Sequence, residues 1–466
     1  EIMKRSLKFS TSILALAFCA GTAAADTYGP FPITDKSYSG DRTNSVSYTG
    51  QVARSILLDS LKSLAGKADG GANAAETKAT MMKYFAGSDE DLAILSHNSK
   101  DGFPIKQTML NEISKGKNIS GKTYKGLVPG WPGNMTGVEV MEHLIHHASM
   151  SVGGFDAEYG YDYGQLIQKF GLGAMAYNQA VDNYLDEKLG ADNKPNNKPY
   201  KDGAAYTGKE HSWDEAFGYF GAPAHALTLE PTQAYNISKK KDLAAGDANG
   251  DGMVDLRTEM TFGGAYYAAD ADKSGTDYLP TITSAFLEGR KLISSANGEA
   301  LSDAQRAQLV AYAQTIEDEW TKVIAEATFK YAGSVYKDIE KFRADTKNID
   351  ADLYRAYGKH WGELKGFAMA LQTGKENLGG TAVRLNRLIG FSPVTMDESI
   401  VTGIDADGNF VKDGKMSWNA YQLNMLKVQD LMVKEFGVEA RKNDATANLA
   451  DLIKELDSDS GGAETD

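Results

Sequence analysis

The sequence predicts a mainly α-helical protein assembled from helical bundles. Three observations carry that prediction. Apolar residues recur at helical spacing over long stretches. Capping signals stand at the ends of those stretches. The two-residue alternation of half-buried strands is scarce. At 466 residues the chain is long for one simple core, so two or three domains are expected.

In chain order, Lys4, Arg5 and Lys8 precede the apolar run SILALAFCA (12–20) and the small residues before Asp26. That pattern is an export signal. Residues 1–25 are therefore expected to be removed, and the protein to reach the periplasm or cell surface. The alternative is a lipoprotein anchored through Cys19, although Phe18 is bulky where that cleavage box wants a small residue. Cys19 is the chain's one cysteine, so the mature protein is expected to hold no disulfide and no thiolate ligand. No later stretch approaches the roughly 18 apolar residues of a membrane span, so no transmembrane segment is expected. A net charge of −14 argues against nucleic acid as a partner, because phosphate binding needs a basic surface.

Residues 26–45 are irregular, and helical periodicity begins within 47–66. YGQLIQKFGLGAMAYNQAVDNYLDEKLG (163–190) reads as one long helix with Gly190 as its C-cap. Pro280 opens another over 281–296. The longest, 301–343, begins with Ser302 as N-cap and Gln305 three residues on, a capping box. Residues 349–374 and 418–437 continue the pattern. Residues 190–208 and 403–415 read as polar loops, and 457–466 as a disordered acidic end. The organisation is a signal (1–25), an N-terminal helical segment (26–125), a bundle core (126–395), a C-terminal helical segment (396–443) and an acidic tail (444–466). A loop-rich insertion of calcium type interrupts the core at 239–280.

DANGDGMVDLRTE (247–259) is the sharpest local motif. Asp247, Asn249, Asp251 and Asp255, with the carbonyl of Met253, can wrap a hard cation around the turn at Gly252. Thr258 stands where a bidentate Glu is wanted, and Glu259 is one residue late. The competing reading is a plain series of Asn-Gly and Asp-Gly turns. Asp270 to Asp277 and Asp405 to Asn409 are weaker echoes.

Histidines paired with acids one helical turn apart form the other candidates. KEHSWDEAFGYFG (209–221) puts His211, Asp214 and Glu215 on one helix face and Trp213, Phe217 and Phe220 on the other, apolar one. GVEVMEHLIHHASM (137–150) puts Glu139, Glu142, His143 and His146 in one arc, with His147 at its edge. GKHWGELKGF (358–367) pairs His360 with Glu363. Imidazole and carboxylate at this spacing can bind Fe, Zn, Mn or Cu. The alternative for each is a solvated face or a satisfied core pair. No phosphate loop or serine elbow is present.

VSYTGQVAR (46–54), the 163–185 stretch, EHSWDEAFGYFG (210–221), FLEGRKLI (286–293) and HWGELKGFAMALQ (360–372) together resemble a bacterial family, domain of unknown function 4856. A remoter likeness is to imelysin-type proteins, which are exported, iron-regulated and built of two helical bundles. Their Gly-x-His-x-x-Glu motif is matched by Gly358, His360 and Glu363 and echoed around His211. The resemblance implies two bundles and metal handling.

The expected function is metal binding in iron or other transition-metal uptake. His211, Asp214 and Glu215 would face His360 and Glu363 across a bundle, with Glu139, Glu142, His143 and His146 as an accessory site and an uptake protein as partner. The alternatives are a calcium-stabilised structural or surface protein and a metal-dependent hydrolase with Glu215 as base.

Overall fold

The computed structural model describes residues 26–88 and 91–461. The expected export signal and Cys19 lie outside the described residues. Among the described residues thirteen α-helices dominate. α1 (Thr49–Ala65), α2 (Ala74–Ala86) and α3 (Gly137–Met150) precede α4 (Tyr163–Gly171) and α5 (Gly208–Phe220). α6 (Pro231–Ser238), α7 (Gly263–Asp272) and α8 (Tyr278–Ser295) lead into the 42-residue α9 (Asp303–Ala344). α10 (Ala351–Ala370), α11 (Gly380–Ile389), α12 (Trp418–Phe436) and α13 (Leu449–Gly461) complete the chain. Strands among the described residues are two-residue pieces, paired antiparallel. Among the described residues, no helix is long and apolar enough to cross a membrane.

α9 is the axis of the molecule. It packs along α8, α10 and α12, with α7 against it, while α4 bridges α10 to α1. The buried apolar side chains form one connected cluster from Tyr28 to Leu452. The capping box at the start of α9 is formed: Ser302 Oγ accepts from the Gln305 amide at 3.2 Å, and Gln305 Oε1 accepts from the Ser302 amide at 2.9 Å. α12 ends at Gly437 in the left-handed conformation that glycine favours.

Four expectations are corrected. Past Gly171 the long helix continues as π-helix over Leu172–Tyr177 and Gln179–Tyr184 and ends in a 3-10 turn, Glu187–Leu189, which Gly190 caps in an extended conformation. The backbone here is pressed from both sides: a Cβ at Gly171 would lie 2.4 Å from Leu58, and one at Gly173 2.3 Å from Ala370. The supposed insertion at 239–280 contains α7, most of which is buried, so its irregular part ends near Phe262. The loop at 403–415 is part of a small hairpin whose Phe410 is buried. The acidic tail is helical as far as Gly461, in α13.

The α4–α10 contact is close because α10 carries glycine every four residues on one face. Gly358, Gly362 and Gly366 meet Phe155, Asp162 with Gln165, and Lys169, and a Cβ at Gly366 would lie 2.5 Å from that of Lys169. Gly358, the first residue of the Gly-x-His-x-x-Glu match, is thus a packing glycine.

Candidate functional site

α5 begins with a capping box, Thr207 with Glu210, which fixes its first turn. Its apolar face is core, as periodicity predicts: Trp213, Phe217 and Phe220 are buried. Its polar face is buried too, and this decides the chemistry. Asp214 and Glu210, one turn apart, share the guanidinium of Arg290 from α8. Arg290 Nε donates to Asp214 Oδ1 at 2.9 Å and Nη1 to Glu210 Oε1 at 3.2 Å, and all three side chains are fully buried. Tyr28 Oη donates to Asp214 Oδ1 at 2.8 Å, the Ser47 amide to Oδ2 at 3.0 Å, and Thr34 Oγ1 to Glu210 Oε1 at 2.8 Å. Burial pushes the Asp214 carboxyl up to about 6, against the pull of Arg290 and the Tyr28 hydroxyl. Asp214 is therefore committed to a buried ion network and is not free to ligate a metal.

His211 and Glu215 stand apart from that network. His211 Nε2 lies 3.6 Å from Glu215 Oε1, which also accepts from Gln51 Nε2 at 2.9 Å. The imidazole is clasped by the rings of Tyr200 and Tyr206 at 4.2 and 4.4 Å. Burial holds it down to about 4 against the nearby carboxylate, so it is neutral at pH 7. His211 Nδ1 and Glu215 Oε2 are buried with no formed hydrogen bond among the described residues.

The pair expected to face this one does not. His360 Nδ1 is 2.6 Å from Asp338 Oδ2 of α9, while Glu363 lines a cavity between α4 and α10. α5 packs on α1 and α8, whereas α10 packs on α9 and α4, so the two pairs sit on different seams.

α3 is rearranged relative to expectation. Glu139 Oε2 accepts from the Thr136 amide at 2.7 Å and the Thr136 hydroxyl at 2.8 Å, closing a capping box. Glu142 is exposed, and His146 Nδ1 lies 3.3 Å from the Lys78 ammonium. His143 instead meets His147, Nε2 to Nε2 at 3.1 Å, beside the Gly408 carbonyl at 3.2 Å. Trp131 Nε1–H donates to His143 Nδ1 at 3.2 Å. Indole only donates, so the His143 proton sits on Nε2, the atom a metal would need bare. This histidine is a packed hydrogen-bond relay.

The acidic loop is closed on itself. Asp247 accepts from the amides of Gly250, Asp251 and Gly252 at 2.9–3.2 Å, and Asn249 Oδ1 from that of Asp251 at 2.8 Å. Asp251 Oδ1 accepts from the Met253 amide at 3.0 Å. Arg257 grips Asp255 through Nη2 at 2.6 Å, and Lys106 Nζ lies 3.6 Å from Asp251 and 4.0 Å from Asp255. Two side-chain cations thus neutralise Asp251 and Asp255, two of the five expected ligands. Of the weaker echoes, Asp270 pairs with Lys330 and Lys442 at 2.7 Å, and Asp272 accepts from the first amides of α8. Among the described residues, no group of three or more His, Asp or Glu converges in metal-binding geometry.

The buried histidines set a pH dependence. Burial holds His97, His147 and His211 each down to about 4, against about 6.5 for free imidazole. As pH falls from about 6.5 to 4, the unfolded chain binds protons that the folded chain refuses, so these groups lose stability. Asp214 and Asp272, pushed up to about 6 by burial, act the other way between about 4 and 6. Three histidines against two aspartates leave acidification destabilising. Melting followed from pH 7 to 4.5 should show a falling Tm, less steep in His97→Gln; a rising Tm would contradict the burial of these rings.

Sequence reasoning missed Arg290 and the basic lining of the cavity. Each had a signal, a cation at an apolar position of a helical repeat: Arg290 between Phe286 and Ile293, and Lys169 between Leu166 and Phe170. Residues 151–375 match the model of a family described as Domain of unknown function (DUF4856). No curated protein and no solved structure matches the chain.

Proposed function

Over residues 151–375 the chain belongs to a family, domain of unknown function DUF4856, that brings no activity with it, and from that premise we propose an exported protein that binds a divalent transition metal, Fe, Zn, Mn or Cu, in metal uptake. One observation carries the reading: Glu215 Oε2 is buried without a hydrogen-bond partner, beside the neutral imidazole of His211. A buried carboxylate oxygen left bare costs free energy that a bound cation would offset. Two protein ligands leave the other positions to water or to a partner's groups, which suits a site that passes metal on. Asp214, His360, Glu363 and the α3 residues have no part in it.

The test is metal content and binding calorimetry on protein purified without a histidine tag, with His211→Ala and Glu215→Gln alongside. The wild type should hold near-stoichiometric transition metal, with affinity at least about tenfold weaker in each variant. Absence of binding, or binding unchanged in both variants, would remove the proposal. Retention of calcium alone, insensitive to both substitutions, would support the calcium-stabilised alternative instead.

A further inference from the structure

The chain is acidic, yet its principal cavity is basic. The cavity has a volume of about 460 Å³ and lies where α1, α4, α7, α9 and α10 meet, below the C-terminal end of α6. Six lysines line it: Lys62, Lys100, Lys169, Lys239, Lys240 and Lys359. Only two carboxylates, Asp59 and Glu363, lie among them. The lysines are graded by depth. Lys169 is 3% exposed and forms the floor. Lys62, Lys239 and Lys240 are half-buried, and Lys100 and Lys359 stand exposed at the rim.

A lysine kept for structure is ordinarily paired. Among the described residues, no carboxylate lies within 4.0 Å of any of these six ammonium groups. The floor is held by an amide instead: Gln168 Oε1 accepts from Lys169 Nζ at 2.6 Å and from Lys62 Nζ at 3.0 Å. Burial, reinforced by Lys62, holds the Lys169 ammonium well below the ordinary lysine range. The cavity therefore concentrates more positive charge than its two carboxylates balance, which an anion would offset.

We propose that this cavity binds a small organic polyanion, carrying carboxylate or phosphate groups on a compact carbon skeleton. Charge selects the sign of the ligand, and volume selects its size. The cavity falls in the range of about 300–1,000 Å³ of small-molecule sites, more than a single oxyanion fills. Tyr266, Tyr267 and Tyr331 supply an aromatic part of the wall. Burial raises all three hydroxyls, so they stay protonated and can donate to anionic oxygens while their rings cover the skeleton. Depth gives a mechanism of entry: rim lysines draw the anion in, and Lys169 meets it where water is excluded. The local fold is shaped for this, because Gly366 of α10 leaves the space that the Lys169 side chain starts from. Lys169, Tyr266, Tyr267, Tyr331, Lys359 and Glu363 all lie within the family-matched span.

The proposal is independent of metal at His211, and its test excludes metal. Protein dialysed against EDTA and then freed of it is titrated calorimetrically with citrate, with inorganic pyrophosphate and with glucose. At least one anion should bind at submillimolar concentration and glucose should not. Lys169→Met should weaken that binding by about tenfold or more, the loss of one charge-assisted hydrogen bond. Circular dichroism checks that the variant folds. Should it not, Lys239→Ala/Lys240→Ala on the half-buried wall carries the test with the same expected loss. Citrate alone binding assigns a carboxylate ligand, and pyrophosphate alone a phosphorylated one. No binding by either anion, or binding equal in the folded variants, overturns the proposal.

Discussion

Replacing Arg290 with methionine should destabilise the protein by about 3–5 kcal/mol, the cost of breaking a buried ion pair from one side. Arg290 is fully buried between α5 and α8, and its removal strands Asp214 and Glu210 without a counter-charge. Two hydroxyls lose a donor at the same time: Arg290 Nη2 donates to Ser45 Oγ at 2.6 Å and Nη1 to Ser294 Oγ at 2.5 Å. The damage should also loosen the N-terminal segment, because Tyr28, Thr34 and Ser47 all dock on the same two carboxylates. Urea unfolding is the measurement. Adding Asp214→Leu and Glu210→Leu to Arg290→Met should recover part of the loss, since an apolar replacement of a whole buried ion cluster is often close to neutral. A single variant within about 1 kcal/mol of wild type would show that these groups are hydrated rather than sealed.

Trp213→Ala should cost a similar amount, about 3–5 kcal/mol, for a different reason. The indole is 1% exposed, and its Nε1 donates to the Phe286 carbonyl at 2.8 Å. It lies over Gly289 of α8, where a Cβ would sit 2.1 Å from Cζ2. The indole therefore fills a notch that α8 leaves open, and alanine would leave a cavity where the two helices touch. Trp213→Phe should cost less, keeping most of the ring but losing the Nε1 hydrogen bond to the Phe286 carbonyl. Equal costs for the two variants would mean that the hydrogen bond, and not the filled volume, holds the helices together. Because Trp213 and Arg290 join the same pair of helices, their effects should not add.

The contrast between the two faces of α5 shows what could be read from the sequence. Spacing alone assigned Trp213, Phe217 and Phe220 to the core, because apolar side chains on one helical stripe need only some apolar partner. Spacing also grouped His211, Asp214 and Glu215, but it could not divide them. That division came from Arg290, some 76 residues along the chain, which claims Asp214 and leaves His211 with Glu215. Glu139 is a parallel case. It shares an arc with His143, yet Thr136, three residues earlier, engages it first. That capping box was itself legible, as the one at Ser302 was, since it needs no tertiary contact.

Period and capping made most of the long helices and their apolar faces legible, because both depend on residues within a few positions of one another. Residues 151–375 also match a family model. Which polar groups are spent and which are free depends on how the helices pack. An imidazole or carboxylate has the same local spacing whether it meets a guanidinium, an indole or nothing. Its chemistry depends on the helix packed against it. Six lysines between positions 62 and 359 become one basic cavity only when five helices bring them together. Their charges then act across a few ångströms of excluded water, which no spacing along the chain records.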